Sequence, residues 1–226
     1  MDNDLKTRLC EDLAFSLHAM AQPLTVLRGS LGALSLRGAS DGDANRYVEL
    51  SNHQVERLCS LMSGMRILLD NFQSDAVCAP TNLGELISAA VNAADSNLLR
   101  FGPRVSIAEI DGGVEVLADT ARAEDAIGAV LATVAGASTH GDEVHVTVEL
   151  RDGFAGVMVC AAHANEKKLT SIDRLRLMVA EGSVRSQQGI FEYSEDPLYV
   201  SLKFPLHDRE EPGSACHAFT MSERAR

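Results

Sequence analysis

The residue in this chain best suited to chemistry is a histidine inside an apolar helical pattern. His18 lies in the run Leu17-His18-Ala19-Met20-Ala21-Gln22-Pro23-Leu24. An imidazole titrates near neutral pH and can act there as a nucleophile or a base. Pro23 has no N–H for the carbonyl of Ala19, so it should break or strain the helix one turn after His18. Two interpretations follow: a reactive histidine on a kinked helix, or an ordinary surface histidine on a core helix.

Two long helices are predicted to carry and support this histidine. From Leu13 to Leu34 the apolar residues recur in alternating steps of four and three, which is a heptad pattern. A second helix from about Ala44 to Gln73 repeats the pattern after a polar turn, in which Ser40, Asp41 or Asp43 can act as its cap. We expect an antiparallel helical hairpin over residues 1–75.

The hairpin is expected to dimerise. Two apolar stripes that face each other leave further apolar residues uncovered, and pairing two hairpins into a four-helix bundle would bury them. The dimer would be a homodimer formed through the hairpin. The alternative is that the hairpin packs on the rest of its own chain.

The second half of the chain alternates helical and strand patterns after a linker near residues 74–81. Helices are predicted at Asn82–Leu99, Asp119–Ala137 and Leu169–Ala180. Strands are predicted as a hairpin of Val105–Glu109 with Val114–Ala118, and then at Glu143–Leu150, Gly156–Ala161, Gly189–Tyr193 and Leu198–Phe204. The fold class is therefore α+β: a helical hairpin followed by an α/β sandwich over 80–206, with a mixed sheet covered on one face. The polar tail over 207–226 is expected to be disordered.

Composition limits the classes of partner. The chain has 226 residues, a net charge of -12, 4% aromatic residues and no Trp, which argues against a nucleic-acid partner. No segment is apolar enough to span a membrane, and the N-terminus lacks a signal peptide, so we expect a cytoplasmic protein with a protein partner. The five cysteines have no close spacing, which predicts neither disulfides nor a zinc site.

The run around His18 resembles the phospho-acceptor motif of sensor histidine kinases, usually H-E-L-R-x-P-L. His18, Pro23 and Leu24 match that motif. From about Leu9 to Leu206 the order of elements is similar to the dimerisation hairpin and ATP-binding domain of those kinases. The resemblance implies that His18 is the phospho-acceptor and that Gln22 stands where the family orients water or the imidazole. It also implies partners: the receiver domain of a response regulator and a sensor histidine kinase.

The motifs that bind nucleotide in this family do not match. The metal-binding asparagines are replaced within residues 133–138, and the aspartate of the first glycine motif is replaced within residues 161–165. The glycine lid becomes Arg174-Leu175-Arg176-Leu177, and the later H-G-G becomes Gln187-Gln188-Gly189. We therefore expect a degenerate ATP-binding-like domain that binds neither ATP nor a metal, with Mg²⁺ supplied by a receiver-domain partner. A competing interpretation makes Arg174, Arg176 and Arg185 a new anion site.

Two functional hypotheses remain. Ala19 replaces the acidic residue that serves as base during autophosphorylation in the family, so ATP-dependent kinase activity is disfavoured. The first hypothesis is a histidine phosphotransferase of two-component signalling that relays phosphate through His18 to or from receiver aspartates. The alternative is a non-catalytic pseudo histidine kinase that binds a receiver or a kinase as a scaffold.

Overall fold

A computed structural model describes residues 3–36, 41–98, 103–108, 113–138, 142–161 and 169–207. The chain starts with two long helices, α1 at Asn3–Leu36 and α2 at Asp41–Gln73, which pack against each other as the expected hairpin. The expected break at Pro23 does not occur, and α1 runs through it. Proline removes only one backbone hydrogen bond from the helix. Pro23 is buried, and packing along both helices outweighs this loss and holds the segment helical. The predicted caps Asp41 and Asp43 are helical residues instead, and Ser40 lies outside the described residues.

The rest of the described chain alternates strands and helices. In order, these are β1 Ala79–Asn82, α3 Leu83–Leu98, β2 Arg104–Ile107, β3 Glu115–Ala118, α4 Thr120–Ala137, β4 Glu143–Arg151, β5 Phe154–Ala161, α5 Ser171–Arg185, β6 Ile190–Glu195 and β7 Leu198–Pro205. Five strands form one sheet in the order β2-β4-β5-β7-β6. The β2–β4 pair is parallel and the other pairs are antiparallel. The predicted fold class, a helical hairpin followed by an α/β sandwich with a mixed sheet, is confirmed.

The predicted hairpin of the strands near 105 and 114 is wrong. β2 pairs with β4, with Val105 opposite Val144, whereas β3 pairs with β1 in a separate two-stranded sheet, with Ala118 opposite Ala79. Strand β1 lies in the segment that was predicted as a linker, and it contains Pro80. A two-stranded sheet tolerates proline because an edge strand does not need every N–H. Alternation identifies a strand but does not identify its partner.

Side-chain caps define where three helices begin. Asn82 Oδ1 accepts from the Glu85 N–H at 3.0 Å before α3, and Asp119 caps α4. Thr170 and Asp173 form a capping box, so α5 begins at Ser171. The helix α5 ends at Arg185, five residues beyond the predicted end.

Helix α5 belongs to two apolar clusters at once. Leu177, Ala180 and Val184 lie in the main core with α3, α4 and the sheet. Leu175 and Val179 lie in a second cluster with α1 and α2. This helix therefore joins the hairpin to the sandwich.

The C-terminal tail and the possibility of a membrane-spanning helix were two further subjects of prediction. Residues 208–226, most of the predicted disordered tail, lie outside the described residues. The helices in the described ranges include none that is long and apolar enough to span a membrane. The domain limits at 75, 80 and 206 stay a prediction.

Candidate functional site

His18 lies on the surface of α1 beside a shallow groove between the two helices of the hairpin. The groove has a volume of about 460 Å³. It is lined by His18, Ala21, Gln22, Pro23, Thr25 and Val26 of α1 and by Gln54 and Arg57 of α2. The imidazole itself is exposed, so it can be reached by a large partner.

Gln22 shares this groove with His18. The two side chains are one helical turn apart, which places them on one face of α1, and both are exposed. The structure therefore brings the two predicted site residues together. The neighbouring hydroxyl of Thr25 is engaged, since it donates to the carbonyl of Ala21 at 2.8 Å.

The sequence did not point to the two residues that α2 contributes. Gln54 is buried, and its Nε2 lies 3.2 Å from His53 Nδ1. Arg57 is half-buried, and its Nε has no hydrogen-bond partner among the described residues. Ser51 and Gln54 are polar side chains three residues apart, and both are buried. Such a polar pair inside the apolar heptad pattern of α2 is the feature of the sequence that could have indicated a site on this helix.

Ala19, the residue after His18, is not among the residues that line this groove and is only 4% exposed. It packs in one apolar cluster with Leu61 and Leu68 of α2 and with Leu175 and Val179 of α5. A carboxylate at position 19 would lose its hydration in this cluster without gaining an ion partner from it. Position 19, where the resembled motif has an acidic residue, thus lies in an apolar cluster to which α5 contributes Leu175 and Val179.

Further contacts hold α5 on the hairpin along its length. A Cβ atom on Gly64 of α2 would lie 2.7 Å from Leu175 Cδ2, so the two helices approach closely there. Farther along, Asn71 Nδ2 donates to Ser183 Oγ at 2.8 Å, and Gly182 packs beside Leu68. These contacts show that one part of the hairpin surface packs on its own chain, as the alternative to dimerisation expected.

The connection between the hairpin and the sandwich is held by one arginine. Arg122 donates to the carbonyl of Ser74 at 2.9 Å, to Ser74 Oγ at 2.6 Å and to Ser186 Oγ at 3.0 Å. Its Nε lies 3.8 Å from Asp119 Oδ2, which also accepts from the Val77 N–H at 3.1 Å. The segment after α2 is therefore bonded to the start of α4.

The positions that align with the family's nucleotide motifs have structural roles where they are described. The hydroxyl of buried Thr133 donates to the carbonyl of Ala129, and Ala137 is part of the core. Gln187 is buried, accepts from the Asp119 N–H at 2.6 Å and donates to the carbonyl of Ser183. Residues 162–168, which include His163 and Asn165, lie outside the described residues. Within the described ranges, no group of three His, Cys, Asp or Glu side chains could hold a metal ion.

The three arginines considered as an anion site each have an acidic partner. Arg174 lies 3.3 Å from Glu195, Arg176 lies 3.4 Å from Asp173, and Arg185 lies 2.8 Å from Glu181. An anion would have to displace these carboxylates. The run Arg174-Leu175-Arg176-Leu177, which was compared with a glycine lid, is an interior part of α5, with Leu175 and Leu177 buried.

Comparisons with known proteins agree with this architecture. No protein-family model and no curated protein matches the chain. Among solved structures, the histidine kinase AdeS of Acinetobacter baumannii matches 84% of this chain and 98% of its own, with a TM-score of 0.64 and 17% identity. The chain has a histidine-kinase-like fold.

Two shorter matches have lower scores. The mycobacterial sensor histidine kinase MprB matches with 16% identity, a TM-score of 0.45 and coverage of 57% of this chain and 98% of that one. The catalytic domain of histidine kinase ThkA matches with 15% identity, a TM-score of 0.48 and coverage of 57% and 96%.

Proposed function

We propose that this chain is a histidine phosphotransferase of two-component signalling that relays phosphate through His18 without ATP-dependent autophosphorylation. One observation carries the proposal: His18 is exposed at an open groove, whereas the next residue, Ala19, is buried under α5. The group that can accept a phosphoryl group is accessible. The position at which the related kinases carry a base is apolar and covered.

The reaction needs little from the protein beyond an accessible and well-held imidazole. The ring nitrogen without a proton attacks the phosphorus of an aspartyl phosphate on a receiver domain. The P–N bond forms as the P–O bond to the aspartate breaks, and the carboxylate leaves with the electron pair of that bond. The receiver supplies the Mg²⁺. Gln22, one turn from His18, orients the imidazole or a water molecule through its amide.

Binding of ATP is not part of the proposal. In related kinases the central helix offers asparagine oxygens to Mg²⁺, whereas the aligned run of α4 offers a hydroxyl engaged with its own helix and a core alanine. The lid position is a packed helix, which has no glycine backbone free to close over phosphates.

The proposed assembly is a homodimer formed by the hairpin. The heptad series Leu17, Leu24 and Leu31 on α1 stays 52–60% exposed in one chain, and the series Val48, Val55 and Met62 on α2 stays 45–62% exposed. Apolar side chains that recur every seven residues on both helices indicate a further helical partner. A second copy supplies two such helices and completes a four-helix bundle. The proposed partners are a receiver domain and a sensor histidine kinase, in the cytoplasm.

A second candidate is a non-catalytic scaffold, favoured by the chemistry of the groove. None of the residues that line it is acidic, so no carboxylate there could act as a base or orient the imidazole. In this case the same surface would bind a receiver or a kinase without transfer.

The deciding experiment offers the chain receiver domains charged with acetyl phosphate and Mg²⁺, and in parallel ATP. We expect acid-labile, base-stable label on the wild type after incubation with a cognate receiver, no label on His18→Ala and no label from ATP. Binding of each receiver is measured separately by calorimetry.

The outcomes separate the candidates. Binding of a receiver without label on His18 would reject transfer in favour of the scaffold. Label from ATP on the wild type would reject the proposal that the α/β sandwich does not bind ATP. Label that persists on His18→Ala would assign the acceptor to another residue.

A further inference from the structure

Arg57 is the one basic side chain among the residues that line the His18 groove. It comes from α2, whereas His18 comes from α1, so the two helices of the hairpin contribute these side chains to one groove. The groove has no acidic lining residue, and the chain as a whole carries a net charge of -12. A cationic side chain in a groove without acidic lining residues, in so acidic a chain, favours a ligand of negative charge.

The hydrogen bonding of Arg57 leads to the same conclusion. Its Nε is buried and has no partner among the described residues. Buried donors without a partner lose their hydration uncompensated, so they are uncommon and call for an explanation. Six other arginines in the described ranges pair with a carboxylate: Arg66, Arg122, Arg151, Arg174, Arg176 and Arg185.

We infer that the Arg57 guanidinium binds the phosphoryl group while it is on His18. The inference rests on the proposed function and deepens it. A guanidinium presents N–H groups in a planar fork that matches two phosphoryl oxygens. During transfer, the same contact neutralises the charge that spreads over the three equatorial oxygens.

The direct test does not need a receiver. Phosphoramidate transfers its phosphoryl group to an accessible imidazole: the P–N bond to ammonia breaks, ammonia leaves, and a P–N bond to His18 forms. The ³¹P signal of the phosphorylated chain is then followed against pH. A neighbouring guanidinium favours the dianion and lowers the pKa of the phosphoryl group.

We expect this titration midpoint to rise by roughly one pH unit in Arg57→Ala and to return most of the way in Arg57→Lys. Arg46→Ala is the matched control, because Arg46 is an exposed arginine on the same helix with the same charge to lose. Its titration should follow the wild type. If Arg57→Ala does not fold, Arg57→Gln is compared with Arg57→Lys, because glutamine keeps a polar side chain without the charge.

Kinetics give a second readout where a receiver labels the wild type. Transfer to Arg57→Ala should be roughly 10²-fold slower than to the wild type, with receiver binding preserved. Equal ³¹P midpoints in the wild type and Arg57→Ala would overturn the inference. A wild type that phosphoramidate does not label, under conditions that label free histidine, would also overturn it. Absence of transfer from receivers, with the midpoint shift present, would instead reject the proposed function alone.

Discussion

Leu175 of α5 fills the space beside Gly64 of α2, where a Cβ atom would lie 2.7 Å from Leu175 Cδ2. Leu175 is 2% exposed and packs with Leu61, Leu68 and Val179, so it cannot simply rotate away. Glycine is the residue type that permits this approach, because any side chain at position 64 must displace a packed leucine. The contact lies on the helix pair that joins the hairpin to the sandwich.

Gly64→Ala should lower the free energy of unfolding by about 1–2 kcal/mol, although alanine favours helix more than glycine does. Urea denaturation measures the change. Gly29→Ala is the matched control, since a Cβ on Gly29 of α1 meets nothing within 4 Å, and it should be neutral or stabilising. Combining Gly64→Ala with Leu175→Ala should cost less than the sum of the two single changes. Equal stability of the Gly64→Ala and Gly29→Ala chains would contradict this close contact.

Ala19→Glu should destabilise the chain by about 3 kcal/mol at pH 8, because it places an unpaired carboxylate in the apolar cluster beneath α5. Desolvation raises the pKa of the new carboxyl in the folded state. Its stability penalty therefore grows as pH rises from the ordinary value through the raised value, and it is smaller at pH 5. Denaturation at both pH values checks the sign.

Ala21→Glu is the control for this change, because Ala21 is exposed two residues farther along α1. It should change stability by less than about 0.5 kcal/mol at either pH. A penalty for Ala19→Glu that is the same at pH 5 and pH 8 would show that the new carboxyl is solvated, and that α5 does not cover position 19.

Arg122→Ala should release the segment after α2 from the start of α4. The variant loses the bonds to both polar atoms of Ser74 and to Ser186, and we expect faster amide hydrogen exchange over residues 74–78 and a loss of about 2 kcal/mol. Arg122→Lys should restore little of this, because an ammonium cannot span these acceptors as a guanidinium does. Arg151→Ala removes an exposed ion pair with Asp152 and should leave exchange unchanged. Unchanged exchange in Arg122→Ala would contradict the proposed role.

Met62→Glu should weaken the proposed dimer at least roughly 10²-fold by placing a charge in the bundle core of each copy. Light scattering over a range of concentrations measures the shift toward monomer. Ser63→Glu adds the same charge to the next residue of α2, outside the exposed heptad series, and should leave the dimer intact. A wild type that is monomeric at micromolar concentration would rule out the dimer.

Much of the architecture was predictable because helix and strand periods are local properties of the sequence. The heptads of α1 and α2 and the helix and strand periods of the later elements were all predicted from neighbours a few residues apart. The pairing of β3 with β1 was not, because it joins residues almost forty positions apart and uses a strand interrupted by proline. Strand partners depend on tertiary packing, which short-range patterns do not encode.

In the candidate site, too, some residues could be predicted from local sequence and others could not. His18 and Gln22 could be placed on one face because both lie on one helix with a known period. Arg57 could not be predicted, since its place in the groove that His18 lines depends on the register between two helices. The sequence showed that Ala19 stands where the resembled motif has an acidic residue, but the burial of Ala19 under α5 depends on a helix that begins about 150 residues later.

The contact of Ala19 with α5 also constrains how this chain could change over generations. Acquiring an acidic residue at position 19 while α5 stays in place buries a charge, and moving α5 first exposes Leu61, Leu68 and Val179 to water. Each single step thus passes through a less stable protein, whichever comes first. The apolar residue at position 19 and the packing of α5 on the hairpin therefore depend on each other.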